Sequence, residues 1–286
     1  MRPDEASGRV GEGEGLRPAP TQSRQSGRDF SLAPSSPRPL APSVLFEQYG
    51  LWLVGLGFVL LVLLSTMVDA DLRCAQYFYD AGMPQGWFLK TAVPWIWLNW
   101  YGEYPVWLLA AAAAVMWCGS LYRRAWVRHR RTCALILLAV ALGPGLLVNG
   151  ILKPLWGRPR PYQVEIFGGA RSYRSWWQPG NLGGGRSFSS GHAATGYVLV
   201  VGAYVVTQRR RRLVLGGALF YGSLVGLARI VTGAHFVSDV LWSGGLMCFT
   251  VATLQAVLPA MLPPDNTPGF APAEGSRYNR PTLEPS

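Results

Sequence analysis

Half of the 286 residues in this sequence are hydrophobic and only 14% are charged, whereas soluble domains carry about 25% charged residues. This composition argues against an ordinary soluble fold and predicts a membrane protein. The formal net charge is +11, and the basic residues stand in short clusters between apolar runs. We therefore expect a lipid bilayer, and not a nucleic acid, as the partner of this charge.

The two ends of the chain differ from its middle. Residues 1–43 and 261–286 are polar and rich in proline, and we predict that they form disordered tails around a membrane domain at 44–260. Within this domain, six apolar runs approach the length of about 20 residues that crosses a bilayer. They are residues 51–68, 105–121, 133–152, 193–207, 213–231 and 237–258. Because backbone in lipid must form its hydrogen bonds internally, we predict an all-α polytopic protein with about six transmembrane helices in a bundle.

Two arginine clusters predict the orientation of these helices. One follows the second apolar run and the other follows the fourth; they contain Arg123, Arg124, Arg128, Arg130 and Arg131, and Arg209, Arg210, Arg211 and Arg212. By the positive-inside rule, both clusters and both tails are cytoplasmic. Segments 153–192 and 229–239 then lie on the opposite face, which in a bacterium is the periplasmic face of the inner membrane. Segment 153–192 is also basic, but its cations alternate with Gly, Pro and Trp, which is typical of side chains that face an anionic ligand.

Three short segments on that opposite face contain the histidines, cations and carboxylate that are candidates for catalysis or ligand binding. They read KPLWGRPRP at 153–161, SFSSGH at 187–192 and RIVTGAHFVSD at 229–239. A phosphoryl group in transfer spreads negative charge over its equatorial oxygens, and cations with backbone N–H donors can stabilise it. The candidates for this role are Lys153, Arg160, Ser190, Gly191 and Arg229, and the candidates for proton and nucleophile chemistry are His192, His235 and Asp239.

His235 and Asp239 are four residues apart, which places them on one face of a helix if the sixth span begins here. A carboxylate that accepts the N–H of one ring nitrogen leaves the other nitrogen free to attack. His192 can then protonate the leaving oxygen and afterwards activate water. Neither histidine has, in the sequence, the further carboxylate or thiolate neighbours of a metal site, so we predict no metal and no cofactor.

These three segments resemble the signature of the type 2 phosphatidic acid phosphatase superfamily, a family of integral-membrane lipid phosphatases. That signature has Lys, six residues and Arg-Pro, then Pro-Ser-Gly-His, then Ser-Arg, five residues, His, three residues and Asp. The resemblance implies that His235 is the nucleophile, that Asp239 orients it and that His192 is the general acid. The phosphate would be held by Lys153, Arg160, Ser190, Gly191 and Arg229. This sequence departs from the signature at Ser189, where the family usually has Pro, and at Ala228, where Ser often precedes the Arg. A second Arg-Pro step begins at Arg158, to which we assign only a contribution to local positive potential.

We therefore predict a metal-independent lipid phosphate phosphatase that acts on a phosphomonoester or diphosphate of a membrane lipid through a phosphohistidine. The resemblance implies substrates such as phosphatidic acid, undecaprenyl diphosphate or lipid A phosphates and does not choose among them. A phosphotransferase that passes the group to a second lipid and a membrane anion or lipid transporter remain as alternatives.

Three connecting segments are each open to two interpretations. Segment 162–186 controls access to the site or anchors the protein at the membrane interface. Segment 71–90 is an amphipathic surface element or a packed connector. Segment 91–104 is an interfacial helix or the start of the second span.

Overall fold

The structure is a computed structural model that describes residues 42–261, with side chains described for 49–259 and 261. The predicted tails therefore lie outside the described residues, apart from 42–43 and 261. The described part of the chain is helical and holds no β-sheet, only two isolated β-bridges, Tyr79 with Trp87 and Val164 with Arg171. The all-α prediction is confirmed.

Ten α-helices are described in residues 42–261. They are α1 Pro42–Met67, α2 Ala70–Phe78, α3 Trp95–Tyr101, α4 Tyr104–Gly119, α5 Arg124–Val127, α6 Arg130–Val140, α7 Lys153–Trp156, α8 Gly191–Tyr197, α9 Gln208–Val231 and α10 Val237–Met261. A π-helix, Ala141–Leu152, joins α6 to α7, and a 3-10 helix, Val198–Tyr204, continues α8. Two 3-10 turns, Pro161–Gln163 and Glu165–Phe167, follow α7.

Four segments of the described chain are long and apolar enough to cross a membrane: Tyr49–Met67, Arg130–Gln163, Gln208–Val231 and Val237–Pro259. They correspond to the first, third, fifth and sixth predicted spans. The second predicted span forms α4, which has 16 residues. The fourth forms α8 and its 3-10 continuation, which have seven residues each. Both are helical, as predicted, but shorter than the length of about 20 residues that crosses a bilayer.

The short helix α8 lies inside the bundle, where it packs on α9 and α10. Six of its seven residues are buried, and His192 is the exception. At its end, the ring of Tyr197 packs edge-to-face on Phe58 of α1 at a centroid distance of 5.2 Å. The Tyr197 hydroxyl also lies within hydrogen-bond distance, 3.0 Å, of the Ser223 hydroxyl of α9. An interior helix has no need to span the lipid, which accounts for its length.

The connecting segments show different degrees of packing. In segment 71–90, Asp71 is 7% exposed and Trp87 is 2% exposed, and Trp87 belongs to a small second core beside the main one, whereas Tyr77 and Phe88 are exposed. The segment thus has one packed side and one exposed apolar side, and both interpretations of it stay open. Segment 91–104 forms a separate helix, α3, without any buried residue, and Trp97 and Trp100 on it are exposed, as expected of an interfacial helix.

The connections bring the predicted site residues to one end of the bundle. Lys153 follows the π-helix and His192 is the second residue of α8. Arg229 lies in the last turn of α9, and Asp239 lies in the first turn of α10. The first arginine cluster lies between the end of α4 and the start of α6, and the second lies at the start of α9, so both are at the other ends of these helices. The basic clusters and the predicted site therefore occupy opposite ends.

Candidate active site

His235 lies in the tight turn between α9 and α10. Gly233 in this turn has a φ of +68°, a left-handed conformation that favours glycine, and the His235 backbone N–H donates to the carbonyl of Arg229 over 3.1 Å. The His235 residue is 2% exposed. Its Nδ1 lies 3.6 Å from Oδ2 of Asp239 and has no hydrogen-bond partner among the described residues. The predicted pair is thus adjacent but slightly beyond hydrogen-bond distance, a separation that often closes when substrate binds.

Asp239 is completely buried and is held by three hydrogen bonds. Its Oδ2 accepts from the Ser187 hydroxyl at 2.5 Å and from the Phe236 backbone N–H at 3.0 Å. Its Oδ1 accepts from Nη1 of Arg158 at 2.5 Å. A carboxylate held from both oxygens cannot rotate freely, so it presents a fixed edge to His235.

Arg158 bridges two buried carboxylates. Its side chain is completely buried, and Nη1 donates to Asp239 and, over 2.9 Å, to the Ser238 hydroxyl. Nη2 donates to Oδ2 of Asp71 over 2.8 Å, and Nε donates to the carbonyl of Arg174 over 2.9 Å. Our assignment of Arg158 to local positive potential was therefore wrong. Its side chain points into the protein and holds the carboxylate that faces the nucleophile candidate.

Asp71 is the far end of this bridge. It lies in the first turn of α2, and its carboxylate accepts from the backbone N–H of Ser238 at 2.8 Å and from the Ser238 hydroxyl at 2.6 Å, as well as from Arg158. Burial of a charge is tolerable only when paired and hydrogen-bonded in this way. No pattern in the sequence marked Asp71, because an acidic residue in the first turn of a helix is common for reasons of helix dipole alone.

Lys153 and Gly191, both candidates for phosphate binding, lie against each other. Nζ of Lys153 donates to Oδ1 of Asn149 over 2.8 Å. A Cβ atom at Gly191 would lie 2.6 Å from that Nζ and 2.8 Å from that Oδ1. Glycine therefore allows the start of α8 to approach the ammonium group closely. Asn149, in the π-helix, was not singled out from the sequence.

Ser190 caps α8 and ties it to α10. Its hydroxyl accepts from the Ala193 N–H at 3.4 Å, the arrangement expected of an N-cap serine. Its own N–H donates to the carbonyl of Asp239 over 3.3 Å, and its carbonyl accepts from the Ser243 hydroxyl at 2.9 Å. The side chain of Ser190 thus serves the local structure. The start of α8 is fixed beside the start of α10.

Arg229 and Arg160 open on one cavity of about 480 Å³ beside α3. Nη1 of Arg229 donates to Oδ1 of Asn99 over 2.8 Å, and its Nε is buried without a hydrogen-bond partner in the described part of the chain. The lining also includes Lys90, Trp100 and Tyr162. The volume is in the range of sites that hold a small ligand or headgroup.

His192 has a carboxylate neighbour that we did not predict. Its Nδ1 lies 3.3 Å from Oε1 of Glu103, and both side chains are about one-third exposed, at 32% and 28%. Glu103 lies at the junction of α3 and α4, far from His192 in the sequence, so no local spacing could link them. Each of the two candidate histidines is therefore accompanied by one carboxylate.

The electrostatics place the two imidazoles and two cations in one site. Burial lowers the pKa of His235 to about 3; Asp239 opposes this shift, and the charges of Arg229 and Lys153 add to it. Burial also lowers the pKa of His192 to about 4, with Arg229 and Lys153 again lowering it. Because the same cations act on both rings, the groups share one site. Both rings are neutral at neutral pH without substrate, which is the state that a histidine nucleophile needs.

Known proteins with similar sequences include members of one family and three lipid phosphatases. Residues 132–261 match the PAP2 superfamily. A protein named Lipid A 4'-phosphatase from Francisella tularensis subsp. novicida (strain U112) is 29% identical over 198 residues, which cover 66% of this chain and 86% of that protein. Proteins with the same name from Rhizobium leguminosarum and Rhizobium etli are 39% and 41% identical over 114 and 118 residues. The chain covers 48% and 44% of these two, less than half of their length. No solved structure matches the chain.

The sequence signature, the helical membrane fold and these similarities agree with one another. The match at 132–261 contains all three motif segments, and the four apolar helices provide the membrane anchorage that a lipid substrate demands. Residues 132–261 of the chain match the PAP2 superfamily, and this match together with the similar proteins supports an integral-membrane lipid phosphatase, a hydrolase of phosphoric esters.

Proposed function

We propose that the protein hydrolyses a phosphate ester of lipid A, or of a closely related phosphorylated glycolipid, through a phosphohistidine at His235. The observation that carries this mechanism is the buried pair of His235 and Asp239 beside the cations Lys153 and Arg229. The substrate class is supported by the similar proteins named Lipid A 4'-phosphatase.

In the first step, His235 is the nucleophile. Asp239 orients the ring at Nδ1, so the lone pair of Nε2 attacks phosphorus. When the anionic phosphate binds, His192 takes up a second proton from solvent and becomes an imidazolium. As the N–P bond forms, the bond from phosphorus to the lipid oxygen breaks, and this imidazolium gives its Nε2 proton to that oxygen and becomes neutral. The charge on the equatorial oxygens is balanced by Lys153, Arg160 and Arg229 and by N–H groups at the start of α8.

In the second step, water replaces the histidine. His192, now neutral, removes a proton from the attacking water, and the new O–P bond forms as the N–P bond breaks. Inorganic phosphate leaves, and His235 returns to its neutral state. The proton that His192 takes up on substrate binding passes to the lipid oxygen and is replaced by one from the attacking water, so the proposed cycle balances without a metal or cofactor.

The cavity beside α3 supports a sugar headgroup. Trp100 and Tyr162 provide broad amphipathic side chains beside the two arginines, and Lys90 provides a further cation. A phosphate between Arg160 and Arg229 would leave an attached sugar ring in reach of these side chains. A second anionic group on the same headgroup would find Lys90.

The arginine clusters support an orientation for the site. They lie at the end of the bundle opposite the site, and clusters of this kind are normally cytoplasmic. We therefore place the site on the periplasmic face of a bacterial inner membrane and both termini in the cytoplasm. A reporter fused to the C-terminus should be active only if that reporter works in the cytoplasm; activity of a periplasm-dependent reporter would contradict this orientation.

The decisive assay is release of inorganic phosphate by purified protein in detergent. Lipid A, phosphatidic acid and undecaprenyl diphosphate would be compared in excess EDTA, with mass spectrometry to locate the phosphate removed from lipid A. We expect EDTA-resistant release from lipid A, loss of release in His235→Asn, and full release in His129→Asn, a histidine variant outside the site. Preference for phosphatidic acid or undecaprenyl diphosphate would overturn the substrate assignment.

The intermediate can be trapped separately. Substrate carrying labelled phosphate would be mixed with enzyme and quenched in alkali, which preserves phosphohistidine. We expect label on the wild-type protein and none on His235→Asn. Label that persists in the His235 variant would place the nucleophile elsewhere, and label that appears on a second lipid without free phosphate would identify a phosphotransferase.

A further inference from the structure

We propose that Glu103 is a positioning residue that holds the general acid His192, so that each imidazole in the site has its own carboxylate. The inference rests on the proposed role of His192. Glu103 lies outside the three signature segments and outside the residues that match the PAP2 superfamily. Its contact with Nδ1 of His192 would direct the opposite nitrogen, Nε2, towards the leaving oxygen.

The position of Glu103 is fixed by the packing of the α3–α4 junction on α9. The carbonyl of Gly102 accepts from the Tyr221 hydroxyl at 3.0 Å. Asn99 binds α9 twice: its Oδ1 accepts from Arg229 and its Nδ2 donates to the carbonyl of Ala228 over 3.4 Å. The junction is therefore attached to the helix that ends in the site. Glu103 reaches His192 from a well-anchored corner.

The charges around His192 explain why a carboxylate is needed there. From α9 Arg229 faces the ring, and from the start of α7 Lys153 faces it; burial and these two cations lower its pKa. Glu103 and a hydrogen bond with the Asn99 backbone raise it. Among the groups acting on His192, Glu103 is thus the carboxylate that favours the protonated ring. A bound phosphate also favours the protonated His192 ring through its negative charge. The Glu103 carboxylate is part of the protein, so its charge acts on the ring whether or not phosphate is bound.

The proton balance assigns Glu103 no proton of its own. His192 loses the Nε2 proton to the lipid oxygen as the P–O bond breaks, and regains one from water in the second step. Throughout, the Glu103 carboxylate faces Nδ1 of His192 and stabilises the imidazolium before transfer. This is the role that the carboxylate of a hydrolase triad has towards its histidine, where the carboxylate orients and stabilises without accepting the proton.

The test compares two substrates that differ in their need for an acid. The lipid ester has a poor leaving group that needs a proton, whereas p-nitrophenyl phosphate has a good leaving group that does not. For Glu103→Gln we expect kcat on the lipid to fall by about 10- to 100-fold, part of what general acid–base catalysis contributes, with little change in KM. On the aryl phosphate we expect kcat close to wild type. Glu103→Asp should recover part of the lost activity, and Glu165→Gln, an exposed carboxamide control, should leave both reactions unchanged.

The pH profile on the lipid substrate gives an independent readout. Removal of the carboxylate lowers the pKa of His192, so the alkaline limb of kcat, where the acid has lost its proton, should move to lower pH in Glu103→Gln. A purely structural role would lower kcat at every pH and on both substrates alike. An unchanged limb, or equal loss on both substrates, would overturn the proposal.

The control for the underlying assignment is His192→Gln. If this variant keeps full activity on the lipid, the assignment of the general acid is wrong, and the inference about Glu103 fails with it. If His192→Gln loses lipid activity selectively while Glu103→Gln behaves as wild type in both measurements, the assignment of His192 stands and Glu103 has no positioning role.

Discussion

Substitution of Arg158 by lysine should damage both stability and catalysis, although it preserves the charge. The guanidinium uses separate nitrogens to reach Asp239 and Asp71, and a single ammonium group cannot reproduce this forked geometry. One buried carboxylate then loses its charged partner, and breaking a buried pair in this way costs about 3–5 kcal/mol. In a domain of this size, a loss of that order lowers the melting temperature by about 6–20 °C.

The catalytic effect should appear in kcat and not in KM. Arg158 is completely buried and cannot touch a substrate, but it fixes the oxygen of Asp239 that faces His235. Loss of a hydrogen-bond partner behind a metal-bound histidine costs about 10- to 100-fold in activity, and by analogy we expect kcat for phosphate release to fall by a similar factor. Thermal unfolding in detergent and steady-state kinetics would be measured together, with Arg124→Lys in the basic cluster as the control.

Two results would refute this reasoning. A melting temperature and a kcat both equal to those of wild type would mean that the bridge contributes neither stability nor position. A rise in KM at unchanged kcat would mean that Arg158 acts on substrate binding, in contradiction to its burial.

Three further outcomes are expected. Gly191→Ala should reduce kcat/KM by about 100-fold, the cost of misplacing a group by about 1 Å, because its Cβ would lie 2.6 Å from Nζ of Lys153; normal activity would contradict the close approach. Ser187→Ala should lower the free energy of unfolding by about 1.5–3 kcal/mol, since it removes the 2.5 Å hydrogen bond to Asp239, and an unchanged melting temperature would argue against that bond. The pKa of His235 is lowered to about 3 in the folded protein, whereas in the unfolded chain it is about 6.5. Between these pH values the ring binds a proton in the unfolded chain but not in the folded protein. Stability is then full above about 6.5 and falls with acidification, by about 2 kcal/mol at pH 5, and His235→Gln should show a shallower acid loss of melting temperature than wild type.

The sequence was informative where the determinant is local. Apolar runs of bilayer length are legible from composition alone, and four of them became helices long enough to cross a membrane. The spacing of His235 and Asp239 predicted that they lie side by side, and they do, although α10 begins only at Val237 and His235 lies in the turn before it. The run at 193–207 was harder, because an apolar helix buried in a bundle has the same composition as one that faces lipid.

The partners of the site residues could not be predicted, because they come from distant parts of the chain. Asp71 reaches Arg158 from α2, and Glu103 reaches His192 from the α3–α4 junction. Neither has a neighbour in sequence that marks it as unusual. For Arg158, the Arg-Pro repeat suggested a second phosphate-facing cation, since side-chain direction in an irregular segment depends on tertiary contacts that local spacing does not encode.

The bridge that Arg158 forms between Asp71 and Asp239 also affects whether residues 132–261 can be separated from the rest of the chain. Residues 132–261 contain every signature residue, yet the innermost arginine of that segment has one of its two counter-charges upstream, on α2. A shortened protein that begins near residue 132 would keep Arg158 and Asp239 but lose Asp71, one of the two carboxylates that pair with Arg158. Chimeras between relatives should therefore exchange α2 together with the catalytic half, and a mismatched graft would be a poor scaffold even with all three motifs intact.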